Sequence, residues 1–164
     1  MIQRVQTLFL LGLIICMALL FIFPIWEKTN PETGVKYTLD SFYWMELTEN
    51  PENADGWEVI NSKPAFYLAG LAALSCLVAL YSVFQFKNRL TQIKLGAVNA
   101  FVIMAYVATA TYFIYTGENQ MGYEGRGIFK PGYFLPLGAL LFNSLANRFI
   151  KKDEKLVRSV DRIR

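Results

Sequence analysis

The chain has 164 residues, 54% of them hydrophobic, 15% aromatic and only 18% charged, with a net charge of +3, two cysteines and no histidine. Such a balance excludes an ordinary soluble globule, in which about a quarter of the residues are charged. The lack of histidine excludes histidine haem ligation, Ser-His or Cys-His nucleophile pairs, two-His metal sites and histidine proton relays.

A helix needs about 20 apolar residues to cross a hydrocarbon layer roughly 30 Å thick. The first stretch of that kind runs over 7–26, after Arg4. It is too long for a signal-peptide core and no Ala-x-Ala box follows it, so a retained helix is expected.

The segment 27–63 comes next and is long enough to fold. Val35 to Leu39 and Phe42 to Leu47 are rich in β-branched and aromatic residues and flank Asp40-Ser41, the pattern of two short strands about a turn. A third short strand is expected over 56–60, after the Pro, Asn, Asp and Gly of the loop before it. Tyr37, Phe42, Tyr43, Trp44 and Trp57 form either an interfacial belt under a small cap or a binding face. Asp40, Glu46, Asp55 and Glu58 match no calcium-loop or acid/base spacing, and read as a solvated acidic face.

Two further apolar runs, 64–86 and 95–115, are joined by the short basic link FKNRLTQIK, which makes them an antiparallel hairpin. Their small residues, Ala65, Ala69, Ala72, Ala73, Cys76 and Ala79 against Gly96, Ala100, Ala105, Ala108, Thr109 and Thr111, predict close packing. Cys16 and Cys76 lie in different apolar runs and read as small packing residues. The glycine-rich segment 116–132 lacks the Gly-Lys-Ser/Thr ending of a phosphate loop. A fourth apolar run, 133–150, carries Pro136, Asn143, Ser144 and Asn147. Asn99 and Asn143 fall at similar depth on antiparallel runs, and a buried amide without partners loses several kcal/mol of hydration, so the two are expected to meet, directly or through water.

Beyond Ile150 the tail 151–164 places Leu156, Val157, Val160 and Ile163 near helical spacing among charges, which reads as an amphipathic helix. Lys151, Lys152, Lys155, Arg158, Arg162 and Arg164 are its candidates for docking a partner or lipid head groups. With Phe149 the one aromatic nearby, nucleic acid is a poor fit.

Orientation follows from the basic residues. Arg4, Lys87, Arg89, Lys94, Arg148 and the tail cations make eleven on one side, against Lys28, Lys36, Lys63, Arg126 and Lys130 on the other. Both termini are therefore expected in the cytoplasm. Glu27, Glu32, Asp40, Glu46, Glu49, Glu52, Asp55 and Glu58 all fall in the first outer segment.

The start MIQRVQTLFLL and the ending NRFIKKDEKLVRSVDRIR resemble the two ends of an uncharacterised four-span inner-membrane family of Bacteroidota, a domain of unknown function. The resemblance implies a four-helix inner-membrane protein and carries no site residues with it.

The sequence thus predicts one all-α membrane domain with four transmembrane helices in an antiparallel bundle. A small β-like outer loop lies between the first and second, and an amphipathic helix closes the chain in the cytoplasm. No cofactor or metal is expected. The expected role is a non-enzymatic accessory or scaffold subunit that contacts membrane lipids and a protein partner. The basic tail and the acidic, aromatic loop would be its docking elements. The alternative is a small oligomeric lipid or solute transporter or channel, with Asn99, Asn143, Ser144 and Tyr106 along its path.

Overall fold

The computed structural model describes residues 3–161 apart from 54, 55, 87 and 122–124. Its elements are α1 (Gln3–Leu19), β1 (Trp26–Thr29), β2 (Lys36–Leu39), β3 (Tyr43–Glu49), β4 (Trp57–Pro64), α2 (Phe66–Phe84), α3 (Arg89–Gln120), β5 (Ile128–Phe129) and α4 (Pro131–Asp161).

The expectation of an all-α chain with four spans is overturned. Four helices share the fold with a five-stranded antiparallel sheet in the order β4-β3-β2-β1-β5. Among the described residues two helices, Phe66–Phe84 and Arg89–Asn119, are long and apolar enough to cross a membrane. The first helix ends at Leu19, because its apolar run turns at Pro24, which disfavours helical geometry in the residue before it, and then enters β1 at Trp26. The fourth interrupts its apolar stretch with Asn143, Asn147 and Arg148. The small loop hairpin is likewise too modest an expectation: β1 and β5 extend it on the far side of β2, and β4 runs to Pro64.

Each helix packs on two others, α1 on α2 and α4, and α3 on α2 and α4. The buried core runs from Leu13, Met17 and Leu20 through Ala72, Ala79, Ile103, Tyr106 and Ala110 to Ala139. Small residues at this interface let backbones approach closely, as expected of helices that pack without a strong hydrophobic drive. Cys16 and Cys76 are both free thiols packed against this core.

The helix ends are tied to the sheet by backbone hydrogen bonds. Orphan N–H groups at the start of α2 find turn carbonyls: Ala65 donates to Phe42 at 2.7 Å and Ala69 to Ser41 at 3.0 Å. The start of α4 is fixed to the exit of α1, with Gly132 donating to Pro24 at 3.0 Å. The sheet therefore sits where α1 and α3 end and α2 and α4 begin. At the opposite end Asn88 caps α3, its Oδ1 accepting from Thr91 N at 3.3 Å, and Gln92 donates to the Ser82 carbonyl at 2.8 Å.

Candidate functional site

Antiparallel pairing puts Trp26, Leu39, Trp44 and Lys63 in one cross-strand row and Lys28, Tyr37, Glu46 and Asn61 in the next. Side chains two apart on a strand share a face, so both rows lie on the same side of the sheet. On that side Trp26 is fully buried and stacks on Trp44, ring centroids 5.3 Å apart. Glycines admit the two rings: a side chain at Gly127 would run into Trp26, and one at Gly117 into Trp44.

Beside the stacked pair lies a cavity of about 230 Å³, lined by Tyr37, Trp44, Glu46, Asn61 and Lys63 of the sheet and by Gly117 and Met121 at the end of α3. A second hollow of about 110 Å³ shares Trp44, Lys63 and Gly117 and continues over Phe113 and Thr116. The Tyr37 hydroxyl donates to Glu46 Oε1 at 3.2 Å. Burial, followed by the Glu46 charge and that hydrogen bond, pushes the phenol above its ordinary range. The cavity thus offers an aromatic wall, one carboxylate and one ammonium. It is smaller than the roughly 300–1,000 Å³ of small-molecule pockets and has room for a side chain. Over it, β4 has a neighbouring strand on one side only, and Val59 and Ile60 are more than half exposed.

Carboxylates of the sheet and its turns are used structurally. Asp40 Oδ1 accepts from Phe42 N at 2.7 Å and Tyr43 N at 2.6 Å, which fixes the β2–β3 turn. Glu58 accepts from Asn50 Nδ2. Glu27 pairs with Lys36 at 3.4 Å and with Lys130 at 2.7 Å, joining β1, β2 and the approach to α4. Among the described residues no group of three His, Cys, Asp or Glu side chains is placed to hold a metal ion.

At the other end, Asn143 donates to the Gly96 carbonyl at 2.8 Å rather than to Asn99. Asn99 is 1% exposed and neither of its amide atoms has a partner among the described residues. Lys151, Lys152 and Lys155 are exposed on α4, and Arg158 falls on the same helix. Lys87, Asp55, Arg162, Ile163 and Arg164 lie outside the described residues.

Two residues hold this frame: Ser41, which the sequence reading takes only as part of a turn, and Asp153, to which it gives no role. Ser41 donates to the Leu20 carbonyl at 2.6 Å and stands 3.4 Å from the Tyr106 hydroxyl, fastening the turn to α1 and α3. Asp153, 8% exposed, pairs with Arg89 at 2.9 Å, while Arg89 also donates to the Asp153 carbonyl. Its signal was spacing: Ala146, Ile150 and Asp153 recur on one helical face, the buried one.

A search of curated proteins gave no match. The family described as Domain of unknown function (DUF4293) matches residues 2–163, essentially the whole chain. The chain therefore belongs to the DUF4293 family, and its stacked Trp26–Trp44 pair, free β4 edge and Arg89–Asp153 clasp are features of a member of that family.

Proposed function

We propose that the protein is a non-enzymatic, multi-pass accessory subunit of a bacterial inner membrane, with both termini in the cytoplasm and the sheet outside. The membrane part of this reading rests on the outer surface of the helices: Leu8, Leu77, Phe84, Phe101 and Leu141 are all more than 60% exposed, an arrangement unfavourable in water and ordinary in lipid. The orientation is supported by the sixteen basic residues, eleven of which fall before the first apolar run, in the 86–94 link or from Arg148 onward in the sequence.

The observation that carries the docking role is the β4 edge. Seven of its eight residues are exposed and its outward backbone groups have no strand beside them, a template to which an extended partner segment adds by backbone hydrogen bonding. The Trp44–Glu46–Lys63 cavity at its flank would receive one partner side chain, and the basic face of α4 beyond Ile150 would be the second contact, in the cytoplasm. The placed polar side chains hold elements together, as in Ser41–Leu20, Tyr37–Glu46 and Arg89–Asp153, which suits a scaffold.

The test is affinity capture of the full chain in mild detergent, comparing the wild type with Ile60→Pro, which puts a proline into the exposed β4 strand, and with Lys152→Glu/Lys155→Glu. Loss of one co-purifying protein with either variant is the expected result. The same set of proteins recovered from all three, or none from the wild type, overturns the scaffold role.

A further inference from the structure

On α4 the positions Leu140, Asn143, Ser144, Asn147, Arg148 and Lys151 follow the spacing i, i+3, i+4, i+7, i+8, i+11, one face of a helix. They line a groove of about 340 Å³ whose other wall is Gly96, Ala97 and Ala100 of α3. We infer that this groove binds an anionic phospholipid, an assignment that rests on the membrane reading above.

At about 1.5 Å per residue the lining runs roughly 16 Å from Leu140 to Lys151, and its chemistry changes in order. Leu140 with Ala97 and Ala100 is apolar, Asn143, Ser144 and Asn147 follow as a polar collar, and Arg148 and Lys151 close the end as cations. A phospholipid in a leaflet has the same order: acyl chains, ester and glycerol groups, phosphate. No carboxylate is among the described residues that line the groove, so two positive charges there face no protein anion within it, and a phosphate supplies one.

Two further observations point to a ligand. Asn143 is 2% exposed and its Nδ2 is held by the Gly96 carbonyl, yet its Oδ1 has no partner among the described residues. A carboxamide oxygen buried that deeply lacks a hydrogen bond until a polar group, such as a head-group hydroxyl or a water carried with it, enters the groove. A Cβ at Gly96 would meet the Asn147 amide that forms the collar and turn it aside, so the glycine keeps the collar in its place. Val98, Phe101 and Leu141, each next in sequence to a lining residue, are 51%, 71% and 68% exposed, an apolar surface suited to acyl chains.

The test uses the full chain, purified in neutral detergent and stripped of lipid, with thermal unfolding followed on adding phosphatidylglycerol, phosphatidylcholine or inorganic phosphate. Phosphatidylglycerol is expected to raise the midpoint at concentrations about tenfold lower than phosphatidylcholine, and phosphate to have no effect. Arg148→Gln/Lys151→Gln removes the charges and Ser144→Leu fills an exposed part of the lining. Each should weaken the response about tenfold, while Arg126→Gln, exposed beside β5 and off the groove, leaves it unchanged. Equal protection by the two lipids, equal protection by phosphate, or an unaltered response in both groove variants overturns the assignment. A chain that stays dispersed without detergent overturns the membrane reading with it; a detergent-dependent chain lacking the phosphatidylglycerol preference overturns the lipid site alone.

Discussion

Gly132 sits where two backbones cross, and a Cβ there would stand 2.5 Å from the Pro24 carbonyl oxygen and 2.8 Å from that of Phe23. Neither obstacle is a side chain that could turn aside, so Gly132→Ala should destabilise by about 1–3 kcal/mol, the ordinary cost of overpacking, read as a lowered unfolding midpoint. The two buried asparagines should respond with opposite signs. Asn99 has its desolvation penalty and no partner, so Asn99→Leu is expected to raise stability by about 1–3 kcal/mol. Asn143→Leu gives up the bond to Gly96 and should lose about 1 kcal/mol. Thermal unfolding of both variants in one detergent decides it; two shifts of the same sign would contradict the assigned partners. That these amides would be costly was legible from their place in apolar runs. That Asn143 would choose a backbone carbonyl was not, because helix rotation, set by Gly96 and its small neighbours, decides what each amide meets. Tyr37 gives a pH dependence. Its phenol titrates higher in the fold than in the unfolded chain, so its contribution is fully present below about pH 10, the unfolded value, and fades as pH rises through the higher folded value. Absorbance titration should show tyrosine ionising above the ordinary range, and Tyr37→Phe should lower the amplitude of that late phase by one tyrosine.

Among the elements, helices α2 and α3 were readable because apolar runs of sufficient length have few alternatives in a chain of this composition. The β2–β3 hairpin was readable from Asp40-Ser41 between aromatic and β-branched runs, and Asp40 does fix the turn. Strand β1 was not, since Trp26 continues the apolar run of α1 and only pairing with Leu39 makes it a strand. Strand β5 is two residues long and exists through its non-local pairing with β1, which local pattern cannot announce. The register shift between Glu46 and Leu47 in the β3–β4 ladder is of the same kind. At the basic end, the Arg89–Asp153 pair fastens the start of α3 to the charged extension of α4, with side chains 19% and 12% exposed. Asp153→Ala leaves Arg89 half-sequestered without its charge partner, at a cost of about 1.5–3 kcal/mol for hydrogen bonds to a charged group. The loss should be local: trypsin is expected to cut after Lys151, Lys152 and Lys155 sooner than in the wild type, while the unfolding midpoint moves little. Unchanged cleavage would mean that the extension holds itself without the clasp.

For the whole molecule, connectivity and charge point the same way. The chain reaches the sheet at the end of α1, leaves it into α2, returns along α3 and leaves again into α4, so the Asn88 turn and the tail share the end remote from the sheet. Eleven of sixteen cations fall before the first apolar run, in the 86–94 link or from Arg148 onward in the sequence, whereas residues 27–63 carry eight of the thirteen carboxylates. Cytoplasmic flanks retain Lys and Arg during insertion, and Asp and Glu count little in that choice, so the orientation proposed above rests on the cation asymmetry alone. A cysteine scan tests the arrangement on a Cys16→Ala/Cys76→Ala background, which removes both native thiols. Val59→Cys on the exposed β4 edge should react with an impermeant maleimide in intact spheroplasts, and Lys155→Cys on the exposed face of α4 only after permeabilisation. Labelling in the reverse order would invert the molecule and move the β4 edge into the cytoplasm. Labelling of both sites in intact spheroplasts would place the sheet and the tail on one side of no barrier at all, leaving the exposed apolar girdle of the helices to be covered by protein instead of lipid.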